Sequence, residues 1–341
     1  MRNRFSDDLA IDLGTDTTRI HSLRRGAVLS EPTVLARDRH SLRTVAVGSG
    51  ALEMLGRTPE GIEAVRPVRA GVIADDAGAR ALLTHQIRAA RFHPALLRPR
   101  VLLSIPAGVT QIERRGLREA AHAAGAREVF LIPAPLAVML GAAETLGNDA
   151  GHVVVDVGAG TTEIAIAGFS GAVYLRSIAL GGQTLDEALG EHIKREHGLV
   201  VGARTLERLK LELGGAGSGS LTVSGHDRGA ATPRSVRLSA DEVRTALEAP
   251  IEAILRAVRT AIIEAPADVC ADAASESVML SGGLALLNGF AEQLEKQICL
   301  PVLTLPDPRS ATVRGCHACL LKLESFSDFG LDAQSASAAL V

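Results

Sequence analysis

The sequence predicts an α/β protein built from two similar domains, and three observations predict it. A short motif occurs once in each half, as Asp12-Leu-Gly-Thr-Asp-Thr-Thr18 and as Asp156-Val-Gly-Ala-Gly-Thr-Thr162. Each copy follows a short apolar strand, Leu9-Ala-Ile11 or Val153-Val-Val155, and leads into another β-rich run, which reads as strand, tight turn, strand. Between the copies, the stretch from Arg100 to Gly147 repeats a strand-helix-strand-helix order, which is α/β architecture. A chain of 341 residues with 47% apolar composition is long enough for two such cores.

Taken in order, residues 8 to about 24 form a β-hairpin, and Thr33-Val-Leu-Ala36 and Val45-Ala-Val47 continue as short strands. Residues 51–92 carry helical periodicity broken by Pro59 and Pro67. Strand Val101–Ile105 is followed by a helix over Thr110–Ala124 closed by Gly125, then strand Glu128–Ile132 and helix Leu136–Leu146. The second half opens with apolar runs at 152–157, 162–168 and 172–179, joined by glycine-containing turns, before Gly181-Gly182 starts an amphipathic helix. Between 214 and 238 the composition shifts to Gly and Ser with alternating Leu221-Thr-Val223 and Val236-Arg-Leu238, a small β subdomain. Ser239-x-x-Glu242 reads as a capping box for a helix running to about Ile263, with Pro250 a kink or break. A strand over Ser277–Leu280 ends in Ser281-Gly-Gly283, and residues 324–341 read as a flexible tail.

The repeated motif carries the chemistry. Glycine at 14, 158 and 160 opens turn geometries in which amide N–H groups can point at phosphate oxygens, and the hydroxyls of Thr15 and Thr161 add donors. An aspartate at the end of each strand repels phosphate, but it suits a ligand to the waters of hydrated Mg²⁺. One copy alone is also what a plain hairpin turn looks like, since Asp and Gly are ordinary turn residues. Two copies at domain spacing favour a metal-nucleotide, with Asp12 and Asp156 facing the metal.

A net charge of −3, from 36 basic and 39 acidic residues, leaves no electrostatic footprint for nucleic acid. No run of 18 apolar residues exists, and the first eight residues lack the apolar core of a signal peptide, so a cytoplasmic location is expected. The four cysteines, all in the last quarter, read as reduced thiols. Cys316-His-Ala-Cys319 has the spacing of half a metal or redox site, but it stands in an apolar helical segment without a second pair.

The order phosphate hairpin, second hairpin, then a hydrophobic strand ending in Gly-Gly resembles the superfamily of actin, heat-shock chaperones and sugar kinases. Within it, residues 8–323 look like MreB, the bacterial actin family of cell-shape control. The segments that carry this resemblance are Gly56-Arg-Thr-Pro59, Arg66-Pro67, Gly71-Val-Ile-Ala-Asp75, Gln111-Ile-Glu-Arg-Arg115, Gly125–Ile132 and Glu207-Arg-Leu-Lys210. The resemblance implies an actin-like ATPase fold: two RNase H-like domains around a nucleotide cleft, each with a small inserted subdomain. The first domain would span 1–135 with its subdomain at about 30–75, and the second 136–323 with its subdomain at about 183–245. A C-terminal helix at about 309–323 would pack back on the first domain.

The same resemblance implies ATP and Mg²⁺ as ligands and assigns the site residue by residue. Asp12, Gly14, Thr15 and Thr17 would form the first phosphate loop, and Asp156, Gly158, Gly160 and Thr161 the second, with Thr161 nearest to any chemistry. Gly282 and Gly283 would line the adenosine pocket, and Glu207 and Lys210 would contact ribose and adenine. By itself the Glu207/Lys210 pair also fits an exposed i, i+3 charge pair, the lesser of the two readings. Asp186 matches a family acidic position but also suits the first turn of a helix.

Departures from the family bear on turnover. Ala134, in Ile132-Pro-Ala-Pro135, stands where the family has the glutamate that orients the attacking water, so slow or absent hydrolysis is expected. Ala159 and Leu284 replace glycines, and Cys316-His317 occupies a glycine-rich hinge region, reducing flexibility there. Asp16 adds a carboxylate beside the phosphates, which costs affinity unless a cation such as an arginine offsets it.

The expected function is a nucleotide-dependent cytoskeletal filament protein that organises cell-shape or cell-wall synthesis at the inner membrane. Its partners would be its own copies, the membrane surface and wall-synthesis proteins. Membrane-binding candidates are Phe5 in a basic N-terminal segment, and Phe92, Leu96 and Leu97 in an apolar loop. Alternative readings are a superfamily small-molecule kinase and a non-polymerising nucleotide switch.

Overall fold

The computed structural model describes residues 7–90, 98–146, 153–167, 173–230, 232–267, 277–322 and 332–335. The chain divides into two compact units, one of residues 1–150, 175–177 and 309–341, the other of 151–174 and 178–308. The first division falls at 150/151, not at the expected 135/136. The helix after that point, α4 (Ala134–Leu146), packs instead on α9 (Ala311–Leu321) of the first unit.

In chain order the first unit contains β1 (Leu9–Leu13), β2 (Thr17–Ser22), β3 (Gly26–Pro32), β4 (Leu35–Asp38), β5 (Thr44–Val47) and α1 (Ser49–Met54). It continues with β6 (Ile62–Val65), β7 (Val68–Arg69), β8 (Val72–Ile73), α2 (Asp76–Ala90), β9 (Arg100–Ile105), α3 (Gln111–Ala123), β10 (Glu128–Pro133) and α4. Next come β11 (Val153–Val157), β12 (Thr162–Ala167), β13 (Val173–Ile178), α5 (Gly182–His197), β14 (Leu199–Val200) and α6 (Ala203–Leu213), all of the second unit except residues 175–177 of β13, which group with the first. The second unit is completed by β15 (Ser220–Asp227), β16 (Pro233–Ser239), α7 (Ala240–Glu264), β17 (Val278–Ser281), α8 (Phe290–Ile298) and β18 (Val302–Thr304). The chain then returns to the first unit as α9 and β19 (Asp332–Ser335).

The first unit is organised on a six-stranded sheet of order β19-β10-β9-β1-β2-β3, the second on a five-stranded sheet of order β13-β12-β11-β17-β18. In each, the hairpin of the repeated motif is antiparallel, and its first strand lies parallel to a neighbour, β1 beside β9 and β11 beside β17. The buried runs Val101–Leu103 and Val153–Val155 are apolar without alternation, as strands covered on both faces require. Smaller three-stranded sheets, β5-β4-β6 and β14-β15-β16, extend the two units. The former has its own small cluster of Val34, Ala36 and Ala51.

Four expectations change. Residues 51–92 are not one interrupted helical run: α1 and α2 enclose three short strands, because Gly56, Gly61 and Gly71 take positive φ and Ile62–Val65 pairs with β4. Pro250 does not break α7. Its neighbours Leu247, Ile251, Ile254 and Leu255 are buried in the core, and that burial outweighs one missing hydrogen bond. The capping box at Ser239 is half formed. Ser239 accepts the Glu242 amide, but the Glu242 carboxylate is drawn to His197 Nε2 at 2.5 Å, and His192 Nε2 lies 3.4 Å from the same oxygen. Finally, Asp332–Ser335, read as part of a flexible tail, pairs antiparallel with Glu128–Leu131.

Candidate functional site

The strand ends of the first unit gather several predicted residues on one edge of its sheet. β1, β9 and β10 run parallel in a register that sets Leu103 beside Ile11 and Pro133 beside Ile105. Asp12, Ser104 and Ala134 therefore all lie at the carboxyl edge of these strands, the edge where open α/β sheets bind ligands. Ser104 Oγ donates to Asp12 Oδ1 at 2.8 Å. Burial pushes the Asp12 carboxyl up, while the Ser104 hydroxyl and the charge of Arg19 pull it partly back. Ala134 opens α4 with only a methyl group.

The first turn is tightly built. A Cβ on Gly14 would stand 2.6 Å from the Thr17 carbonyl oxygen, so no larger residue keeps this turn. Thr33 Oγ1 donates to the Gly14 carbonyl at 2.7 Å and lies 2.9 Å from Thr18 Oγ1. Thr15 is turned inward: its hydroxyl accepts the Gly71 N–H at 3.0 Å, tying the turn to the β7/β8 hairpin. The extra carboxylate of Asp16 is offset by Arg66, whose guanidinium lies 2.9 Å away, and Thr17 Oγ1 donates to its other oxygen at 3.3 Å.

The second unit repeats this plan. Asp156 is 8% exposed at the end of β11, and Ser281 Oγ on the parallel neighbour β17 donates to its Oδ1 at 2.9 Å. Across the hairpin Asp156 is paired with Glu163, also buried, and two carboxylates on opposed positions favour a nearby cation. The turn is closed by the Gly158 N–H to the Thr161 carbonyl at 2.9 Å. The amino end of α5 then packs on that turn, with Gly182 N–H donating to Gly158 O and Gln183 N–H to Ala159 O. Gly160 and Thr161 are half-buried in the same turn.

Gly282 has φ 88°, and a Cβ there would lie 2.2 Å from the Val157 carbonyl oxygen and 2.7 Å from Asp156 Oδ1. Only glycine lets β17 turn away so close to the second motif. A Cβ on Gly283 would meet nothing within 4 Å, which leaves open space on that side. Leu284 is buried in the core of the second unit, so this replacement of a glycine serves packing.

Lys210 is no exposed partner of Glu207. It is 3% exposed, and its ammonium contacts Glu207 at 2.5 Å, Asp186 at 2.8 Å and the Gly182 carbonyl at 3.2 Å. Asp186, kept outside the predicted core site, is thus joined to it. Ser104 and Ser281 stand outside the expected site residues, and their one local signal is that each is the sole hydroxyl in an otherwise largely apolar strand. Phe5, Phe92, Leu96 and Leu97 lie outside the described residues. Among the described residues no helix is long and apolar enough to cross a membrane, and no group of three or more metal-binding side chains forms a ready metal cage. The carboxylates at the strand ends nevertheless fit a hydrated cation held through its waters.

A family model described as "MreB/Mbl protein" matches residues 6–328. Among curated proteins, the cell shape-determining protein MreB of Escherichia coli strain K12 is 40% identical over 323 residues, covering 92% of this chain and 93% of that protein. The cell shape-determining protein Mbl of Bacillus subtilis strain 168 is 34% identical over 315 residues, covering 91% and 95%. Among solved structures, that of MreB5 of Spiroplasma citri bound to ADP has a TM-score of 0.86 at 27% identity, covering 95% of this chain and 99% of that one. The same protein bound to AMPPNP gives 0.86 at 26% identity, covering 96% and 100%. A MamK double helical filament matches in fold, with a TM-score of 0.74 at 23% identity over 93% and 99%.

Proposed function

The chain belongs to the MreB/Mbl family and has an actin-like fold, and from that premise we propose that it is a nucleotide-dependent filament protein of cell shape. The observation that carries this reading is the duplicated hairpin with its serine-held aspartate, Asp12 with Ser104 and Asp156 with Ser281. Two turns of backbone amides suit phosphates, and two carboxylates suit the waters of Mg²⁺. The MreB5 structures with ADP and AMPPNP support an adenine nucleotide as the ligand.

In this reading each turn serves phosphate from its own unit: the first through the backbone N–H groups of Gly14, Thr15 and Thr17, since the Thr15 and Thr17 hydroxyls are engaged with Gly71 and Asp16, and the second through Gly158, Gly160 and Thr161. Asp12 and Asp156 hold the metal through water, Gly282 and Gly283 border the adenosine, and Glu207 borders the ribose. Lys210 acts by fixing Glu207 and Asp186 against the start of α5. Bound Mg²⁺ would neutralise phosphate charge. Head-to-tail association of such protomers makes open filaments.

Ala134 offers no group to orient or deprotonate water, a contribution worth on the order of 10²–10⁴-fold. Binding with slow turnover follows. Attachment to the inner membrane and work with wall-synthesis proteins are the finer part of the proposal, and polymer avidity would multiply weak contacts with the membrane surface. The test is calorimetric titration of ATP with and without Mg²⁺, coupled to sedimentation of the protein. Mg²⁺-dependent binding that drives the protein into the pellet supports the reading. No binding in either condition sinks it.

A further inference from the structure

We propose that Ser104 and Ser281 are paired positioning residues that lock the two metal-facing aspartates, an inference that rests on the reading above. The two hydroxyls stand at equivalent places in the two units. Each sits near the carboxyl end of the strand that runs parallel to the motif strand, β9 beside β1 and β17 beside β11. Asp156 and Ser281 are direct register partners, and Ser104 follows Leu103, the partner of Ile11. Neighbouring residues in register point to one face of a sheet, so each serine is delivered to its aspartate by the pairing itself.

A buried hydroxyl costs free energy unless it is hydrogen-bonded. At these covered strand ends alanine would pack as well without that cost, and both hydroxyls spend their hydrogen bond on a carboxylate, at 2.8 and 2.9 Å. In the second unit the oxygen that Ser281 holds also lies 2.7 Å from where a Cβ of residue 282 would stand, so glycine at 282 leaves the held carboxylate its room. The recurrence of the same donor, acceptor atom and strand relation in both halves sets this pair apart from a local packing accident. Carboxylates fixed in this way present a metal's water shell with acceptors at set positions, a role that partners behind metal ligands commonly fill.

The test is the Mg²⁺ dependence of ATP binding, measured by calorimetry on the full chain for the wild type and for Ser104→Ala, Ser281→Ala, Ser104→Thr and Ser281→Thr. Melting temperatures are recorded without metal or nucleotide. Each alanine variant is expected to need on the order of tenfold more Mg²⁺ for half-maximal ATP binding. The threonine variants, which keep the hydroxyl, should return towards the wild-type curve. Alanine variants with the wild-type Mg²⁺ requirement would overturn the proposal, whether or not their melting temperatures fall, since a purely structural role moves only the latter. A wild type whose ATP binding ignores Mg²⁺ would overturn the metal reading itself, and that result needs no variant to detect.

Discussion

At Asp12 the carboxyl is held in protonated form to higher pH than an ordinary aspartate, because burial outweighs the Ser104 hydroxyl and Arg19. The native state then binds more protons than the unfolded chain just above the ordinary value of 3.8, so metal-free stability falls as pH rises from there through the raised value. Asp12→Asn removes this slope. Thermal melts in chelator from pH 4 to 7 should show the wild type losing ground to the variant as pH rises, and the reverse trend would contradict the assignment. The same variant should lose Mg²⁺-dependent ATP binding. Lys210→Met makes a second residue-scale case: it leaves Asp186 and Glu207 facing each other without their shared cation. Because both carboxylates are partly exposed, the expected cost is modest, ~1–3 kcal/mol by urea denaturation.

Elements were legible where local pattern decides them. The Asp-x-Gly hairpins, the helix closed by Gly125 and the strand that ends before Gly282 all follow from residues a few positions apart. The serine locks did not, because their partners are 92 and 125 positions away in sequence and only strand order brings them together. The diversion of Glu242 from the capping box has the same cause, since its histidines belong to another helix. So has the placement of α4. Its contact with α9 depends on Gly141 and Gly315: a Cβ on Gly315 would stand 1.9 Å from the Ala137 carbonyl oxygen, and one on Gly141 2.6 Å from the Gly315 Cα. Gly315→Ala should therefore cost about 1–3 kcal/mol by forcing the helices apart. Gly116→Ala in α3, where a Cβ meets nothing, should gain about 0.5–1 kcal/mol. Equal effects in chemical denaturation would refute this account of the helix contact.

For the whole molecule, the two units each bring one hairpin and one serine-held aspartate, and the second also brings the glycine turn at 282–283 and the Lys210 cluster. Asp16, which by charge alone would weaken phosphate binding, is matched by Arg66 inside the first unit, so the extra carboxylate is no obstacle to the site. The proposed slow turnover rests on one position, Ala134 at the first residue of α4, whose methyl group cannot orient water. The direct test is single-turnover hydrolysis of labelled ATP with Mg²⁺, comparing the wild type with Ala134→Glu at protein concentrations that saturate the nucleotide. The account predicts bound ATP that persists on the wild type and phosphate release at least tenfold faster in the variant. Equal rates in the two proteins would contradict it and assign the attacking water to another group.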